Sequence, residues 1–303
     1  MIIAVYNLRQ VDFMKTRAFI FIVLAGIFWG TSGIFVHFLA PYGFTSIQMT
    51  AMRATVSFIV MSVYVLIKNR ELFKVKPKEI LLFLGSGLSF LLTATFYYTS
   101  MQLSSVATAV VLMYTAPAIV MVYSVLFLGE RLTKIKTIAV AVMLIGCCLV
   151  SGIVGGMKFN ALGILFGVLS GISYSAYNIF TKIEMKKGSS AVSATLYNFL
   201  FASVGAIAIC DPINLSENFL SKPAFTIPVM IACGIVTCIA PYFLYTVAMK
   251  TLPAGTASAL GIVEPMAATV FSVVILHESL NVFSSIGIVL ILGAVFLLGR
   301  EDG

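Results

Sequence analysis

Apolar residues occur along the chain in ten long runs, each bounded by charged residues, proline, glycine or polar clusters. Each run is about 20 residues long, the length that an α-helix needs to cross a bilayer. The predicted helices span 18–39, 45–67, 79–101, 104–128, 134–152, 160–181, 190–211, 226–249, 253–276 and 281–299. The pattern therefore predicts an all-α membrane protein with ten transmembrane helices.

Composition supports a chain that lies almost wholly in lipid. The 303 residues are 60% apolar and 10% charged, with a mean hydropathy of +1.08, against about 45–50% and about 25% in soluble domains. Ten spans use about 200 residues, which leaves no room for a separate catalytic domain. The sequence has no phosphate-binding loop, no His-Glu-x-x-His and no nucleophile elbow. We predict neither an enzyme nor an ATP-driven pump, and neither a cofactor nor a metal site.

Basic residues predict the orientation of the helices. With both termini in the cytoplasm, sixteen of the nineteen lysines and arginines fall on the cytoplasmic side, two fall outside and Arg53 lies within a helix. This bias follows the positive-inside rule. We therefore interpret the net charge of +8 as a topology signal and predict no nucleic-acid partner. Residues 1–17 are expected to form a cytoplasmic segment of an inner-membrane, multi-pass protein.

The two halves of the chain share an internal repeat. At an offset of 148 residues, Tyr97, Pro117 and Glu130 align with Tyr245, Pro265 and Glu278; at an offset of 141, Gly26-x-x-x-Gly30 aligns with Gly167-x-x-x-Gly171. Because five helices per repeat is an odd number, the second repeat must enter the membrane from the opposite face. We predict two inverted repeats, 18–152 and 160–299, with a substrate site between them near the midplane.

Several short motifs resemble a known family. They are Phe28-Trp29-Gly30-Thr31, Arg53, Pro117 with Leu128-Gly129-Glu130-Arg131-Leu132, and Glu264-Pro265 with His277-Glu278-Ser279-Leu280. This doubled signature resembles the EamA family of the drug/metabolite transporter superfamily, whose ten-helix members export amino acids and other metabolites or import some of them. The second repeat differs from the first in two ways: it has His277 at the position of Gly129, and its first helix contains no tryptophan. The resemblance implies a transporter with two unequal halves around its cavity.

Two prolines and one carboxylate lie deep in predicted helices. Pro117 and Pro265 each remove a backbone donor, so we predict bent or broken helices around a site and a gating role. Glu264 lies about 17 Å into its helix at about 1.5 Å per residue, where a charge costs about 2.5–3.5 kcal/mol. We predict that it contacts substrate or a coupling proton; gating or helix pairing is the alternative.

Other charged residues are assigned to gating or structure. Arg53 lies at a similar depth, and three roles stay open for it: pairing with Glu264, capping the carbonyls of a broken helix, or binding a substrate carboxylate. Glu130 and Glu278 lie at helix ends on opposite membrane faces. We predict that they fix turns and gates rather than bind substrate.

Aromatic residues supply the remaining candidates. Trp29 is the only tryptophan and lies mid-helix, and several tyrosines lie deep or beside polar neighbours. The predicted substrate-binding residues are Trp29, Tyr97, Tyr114, Tyr174, Asn178, Tyr245 and Glu264. Such a cavity suits a side chain or, by cation–π attraction, a quaternary amine; core packing is the alternative for each residue singly.

The sequence leads to one preferred function and several alternatives. We predict a secondary transporter that moves a small organic metabolite by alternating access, with amino acids or related zwitterions as the preferred substrates and export as the preferred direction. Quaternary amines or lipophilic cations are the alternative substrates. A channel or a non-transporting membrane component is the alternative class of protein. Proton coupling and a monomer or weak homodimer complete the prediction.

Overall fold

The computed structural model describes residues 2–153, 160–277 and 279–302, and these segments are helical with short connections. The helices are α1 (Ile2–Gly30), α2 (Ser32–Leu39), α3 (Ser46–Lys68), α4 (Pro77–Leu103), α5 (Val106–Met113), α6 (Ala116–Phe127), α7 (Lys134–Val150), α8 (Ala161–Lys186), α9 (Ala191–Ile209), α10 (Pro212–Ser221), α11 (Pro223–Gly234), α12 (Ala240–Ala248), α13 (Ala254–Leu260), α14 (Val263–Leu276) and α15 (Val282–Asp302). The all-α prediction is confirmed for this part of the chain. Glu278 lies outside the described residues.

Nine helical stretches of the described chain are long and apolar enough to cross a membrane. They are Met14–Tyr42, Ser46–Lys68, Pro77–Leu103, Val106–Phe127, Ala161–Lys186, Ala191–Ile209, Pro223–Ala248, Ala254–Leu276 and Val282–Glu301. Each coincides with one predicted span, and the protein is a multi-pass membrane protein. The remaining predicted span, 134–152, corresponds to α7, which has 17 residues. A count of ten therefore stays a prediction.

Four of these stretches are interrupted near their middle. Within the described chain, α1 gives way to α2 at Thr31, α5 to α6 before Pro117, and α13 to α14 before Pro265. The fourth interruption is a π-helix, Ile235–Ile239, between α11 and α12. The breaks predicted at the two prolines are present, because a proline cannot donate to the preceding turn. The π-helix and the break at Thr31 were not predicted.

One short helix, α10, was not predicted. The Asp211 side chain accepts hydrogen bonds from the backbone amides of Ile213 and Asn214, at 3.0 and 3.1 Å. Pro212 at the first helical position has no amide to satisfy there. A capped start of this kind favours a helix, and at 10 residues α10 is too short to resemble a membrane span.

The two Gly-x-x-x-Gly motifs bring different helices into close contact. A Cβ atom on Gly30 would lie 2.7 Å from the Cβ of Ala267, so α1 packs directly on α14. In the second motif, a Cβ on Gly171 would lie 2.7 Å from the carbonyl oxygen of Leu112 and from Thr115 Oγ1. Helix α8 therefore packs on the break between α5 and α6. Small residues permit such approach because membrane helices associate by close packing.

A third glycine contact joins α7 to α15. A Cβ on Gly146 would lie 2.9 Å from the Gly287 carbonyl oxygen, and one on Gly287 would lie 2.6 Å from the Gly146 carbonyl oxygen. The backbones of α7 and α15 therefore approach each other directly, so the last helix of one half packs on the last helix of the other.

We expect Gly171→Ala to destabilise the protein, because the new methyl group would meet backbone and Thr115 at a position that cannot yield without moving a helix. Overpacking of this kind costs about 1–3 kcal/mol, which we expect to lower the melting temperature in detergent by several degrees. Gly293→Ala is the matched control, since no atom lies within 4 Å of its Cβ position. Equal melting temperatures for the two variants would contradict the packing role of Gly171.

Candidate functional site

A cavity of about 700 Å³ lies among the helices and is lined by both halves of the chain. Of the residues predicted for binding or gating, those on its wall are Trp29, Arg53, Tyr97, Tyr114, Tyr174, Glu264 and Pro265. The helix breaks before Pro117 and Pro265 and the π-helix all lie next to this space. The cavity therefore brings together predicted residues that are up to 236 positions apart in the sequence.

The cavity extends to the helix ends on one side of the molecule. Its wall includes Val36 near the end of α2, Ser46 at the start of α3, Gly152 after α7 and Asn281 before α15. Consecutive spans alternate in direction, so these residues share one membrane side. Among the described residues, the opposite helix ends contribute none to the wall. The cavity is therefore open on one side.

Glu264 presents its carboxylate to the cavity from the first turn of α14. Its Oε2 accepts a hydrogen bond of 2.7 Å from the Tyr114 hydroxyl. Tyr114 lies at the break between α5 and α6, so the bond joins the two interrupted stretches across the halves. Because this carboxylate is partly exposed and has one neutral donor, its remaining lone pairs can still accept hydrogen bonds from a ligand.

Arg53 supplies the opposite charge on the same cavity wall. Arg53 and Glu264 do not form an ion pair in this conformation, and Arg53 Nε is a buried donor without a hydrogen-bond partner. The indole Nε1 of Trp29 is likewise buried and without a partner. Unsatisfied buried donors are costly, and these two line a space that can admit a ligand with acceptor oxygens.

Aromatic rings form much of the remaining wall. The Trp29 ring lies 5.0 Å from that of Tyr242, edge to face, and Tyr177 lies 5.5 Å from Tyr242. Tyr98, Tyr177 and Tyr242 line the cavity but were not among the predicted site residues. The helical spacing of Tyr174 and Tyr177, three residues apart on one face, was the available signal.

Two predicted binding residues lie behind this wall. Tyr245 and Asn178 are completely buried and do not line the cavity; the Tyr245 hydroxyl donates to Asn178 Oδ1. The Asn178 amide nitrogen in turn donates to the Tyr174 carbonyl, at 2.8 Å. In this conformation the pair supports the ring positions of the wall, and a direct role in binding stays a prediction. Pro117 is also buried off the cavity.

Charged side chains join the halves at the closed end. Glu130 Oε1 and Oε2 accept from the backbone amides of Ala254 and Gly255, at 2.7 and 3.3 Å, at the start of α13. The Lys186 ammonium donates to the Leu128 carbonyl at 2.8 Å. Both links connect the first half to the second. Glu130 therefore links the two halves on the side opposite the cavity mouth.

Comparisons with known proteins agree with this architecture. An uncharacterized transporter of Archaeoglobus fulgidus is 29% identical over 280 residues, 92% of this chain and 95% of that protein. Uncharacterized transporter YwfM of Bacillus subtilis is 26% identical over 90% of each chain. One solved crystal structure superposes with a TM-score of 0.73 at 17% identity, covering 94% of this chain and 97% of the other. That likeness shows a shared fold.

The family comparison covers both halves of the chain. The model of the EamA-like transporter family matches residues 16–152 and again residues 161–300. These two segments leave out only the N-terminal residues, the connection between the halves and the last few residues. The chain belongs to the EamA-like transporter family.

Proposed function

We propose that this protein is a secondary transporter that exports an amino acid or a related zwitterion across the cytoplasmic membrane by alternating access. The observation that carries the proposal is a one-sided cavity with Arg53 and Glu264 on its wall and no ion pair between them. A zwitterion offers a carboxylate to Arg53 and an ammonium group to Glu264. Both protein charges would then be compensated in a space of low dielectric.

The packing of the halves supports alternating access between inverted repeats. The contact of α1 with α14 has a counterpart in that of α8 with α5 and α6, through glycines at equivalent repeat positions. Gly146 and Gly287 add a reciprocal contact. Two similar bundles that meet through small residues can rock about their interface while the site stays between them. A conformation open on the other membrane side would require the Glu130 links to separate, which is our proposed gating role for that residue.

A quaternary amine is the second candidate substrate. The cavity wall carries Trp29 and six tyrosines, an arrangement that attracts a cation to ring faces. Glu264 alone would supply the countercharge. Arg53 distinguishes the candidates, because it would repel a cation that carries no carboxylate.

We expect Arg53→Gln to weaken amino-acid binding by about tenfold or more, the loss of one charge-assisted interaction of about 1.5–3 kcal/mol. Binding is measured by thermal shift and calorimetry with amino acids and with tetramethylammonium. Unchanged amino-acid affinity together with tighter tetramethylammonium binding would favour the second candidate. Stabilisation by neutral sugars or nucleotides alone would contradict both.

We expect Glu264→Gln to abolish most substrate flux in proteoliposomes and to remove the dependence of flux on external pH. Glutamine keeps the size and the hydrogen bond from Tyr114 but carries no charge and takes up no proton. Correct folding is checked by the melting temperature. Glu71→Gln, at an exposed residue paired with Lys74, is the matched control. If the Glu264 variant keeps wild-type flux and pH response, the prediction is wrong, and the protein is a transporter whose site needs no charge at this position.

We expect Pro117→Ala and Pro265→Ala to slow transport several-fold while changing equilibrium binding little. Alanine supplies the missing amide donor and favours a continuous helix, so each change should stiffen a joint beside the cavity. Flux and substrate affinity are measured on the same preparation. Loss of binding in a folded variant would mean that the prolines shape the site itself.

A further inference from the structure

A buried carboxylate lies away from the cavity. Glu184 is 1% exposed, near the end of α8 that lies on the closed side, and it does not line the cavity. Its Oε1 atom has no hydrogen-bond partner. The Ser86 hydroxyl of α4 lies beside the carboxyl group. Neither gating nor substrate binding, as proposed above, makes use of this residue.

The basic residues near Glu184 are engaged elsewhere. Lys182 donates to the carbonyl oxygens of Met249 and Leu252 after α12, and Lys186 donates to Leu128. The charged residues of α4 are Lys78 and Glu79, in its first turn and at least seven residues before Ser86. Glu79 accepts from the Ser189 hydroxyl at 2.7 Å. Helices α9 and α12 contain no charged residue. A carboxyl group buried without a cationic partner is stable only as the neutral acid.

Two hydroxyl-bearing side chains lie on the same helix face as this acid, between it and the cavity. Tyr177, Thr181 and Glu184 are spaced i, i+4 and i+7, so they share one face of α8. Tyr177 lines the cavity, and its hydroxyl lies beside those of Thr181 and Thr246. Thr181 Oγ1 is itself buried without a hydrogen-bond partner. This row of side chains extends about 10 Å from the cavity wall towards the closed side, at about 1.5 Å per residue.

At the cavity end, Tyr177 neighbours the tyrosines that lie between it and Glu264. The Tyr177 ring stacks on that of Tyr174 at 6.5 Å between centroids, and Tyr174 lies 6.5 Å from Tyr114. Tyr114 donates its hydroxyl proton to Glu264. Phenol and threonine hydroxyls both donate and accept hydrogen bonds, so Tyr177 and Thr181 carry groups that a proton relay can use. The ring contacts to Tyr174 and Tyr114 are packing contacts and not hydrogen bonds.

We propose that Glu184 is a proton-binding site, distinct from the substrate site and connected to the cavity through Tyr177 and Thr181. The proton enters from the open cavity and binds the carboxylate of Glu184, and it leaves when the closed side opens. A sodium ion fits less well, because a cation of this kind is held by several oxygens that converge on one point. Here Oε1 has no hydrogen-bond partner, and the hydroxyl beside the carboxyl group is that of Ser86. The use of this proton in transport rests on the proposed function, but its binding does not.

The test is infrared spectroscopy of the reconstituted full-length protein, which follows the carbonyl stretch of protonated carboxyl groups as pH is raised. We expect Glu184→Gln to lose one titrating band, and Glu71→Gln and Glu79→Gln to keep it. Tyr177→Phe and Thr181→Val should keep the band but slow its shift after transfer to deuterium oxide. This measurement needs no substrate. A protein that fails to transport would contradict the proposed function, but the infrared result could still be interpreted.

Four outcomes would overturn the proposal, the last of them only its connection to the cavity. A spectrum of Glu184→Gln that matches the wild type would show that Glu184 is permanently ionised. A band that is lost in this variant but does not respond to pH in the wild type would make Glu184 a structural acid. A band that disappears on addition of sodium at constant pH would identify a sodium site. Unchanged deuterium exchange in Tyr177→Phe and Thr181→Val would exclude the connection to the cavity.

Discussion

Inside a bilayer every backbone amide and carbonyl must find a partner within the protein, because lipid supplies none. This constraint decides where the helices of this transporter can be interrupted. At the break before Pro117, the Thr115 hydroxyl donates to the Leu112 carbonyl at 2.7 Å; at the end of α1, the Thr31 hydroxyl donates to the Phe28 carbonyl at the same distance. Threonine side chains thus satisfy carbonyls that a regular helix would pair. The interruptions lie beside the cavity, where bent backbone can face polar space.

Close packing follows from the same lack of solvent. Membrane helices associate without a hydrophobic driving force, so contact depends on shape. The glycines at 26, 30, 167 and 171 let α1 and α8 approach the interrupted helices. These contacts position Tyr114 and Glu264 opposite each other across the halves. A site built from two interrupted stretches can change with the angle between bundles, which suits the proposed alternating access.

Few charged side chains lie within the membrane-spanning part of this molecule, and each has a different environment. Arg53 and Glu264 lie on the cavity wall, where a ligand or water can stabilise them, and Glu130 satisfies amide groups at the closed end. Aromatic rings provide most of the surface between these charges. The wall can therefore hold an apolar side chain while its charged groups orient the polar ends of a substrate. Glu184 stands apart because, among the described residues, no cationic side chain forms an ion pair with it.

Much of this architecture follows from local sequence, and the rest depends on contacts between distant segments. The sequence alone determined the membrane class, the helix positions to within a few residues and the interruptions at Pro117 and Pro265, since hydrophobic length and proline act locally. The family was also evident from its motifs. Only the tertiary structure decided that Tyr242 faces the cavity and Tyr245 the core, and that Glu130 meets Ala254. Helical spacing restricts which residues share a face, but the neighbour that each face meets is set by packing across the whole chain.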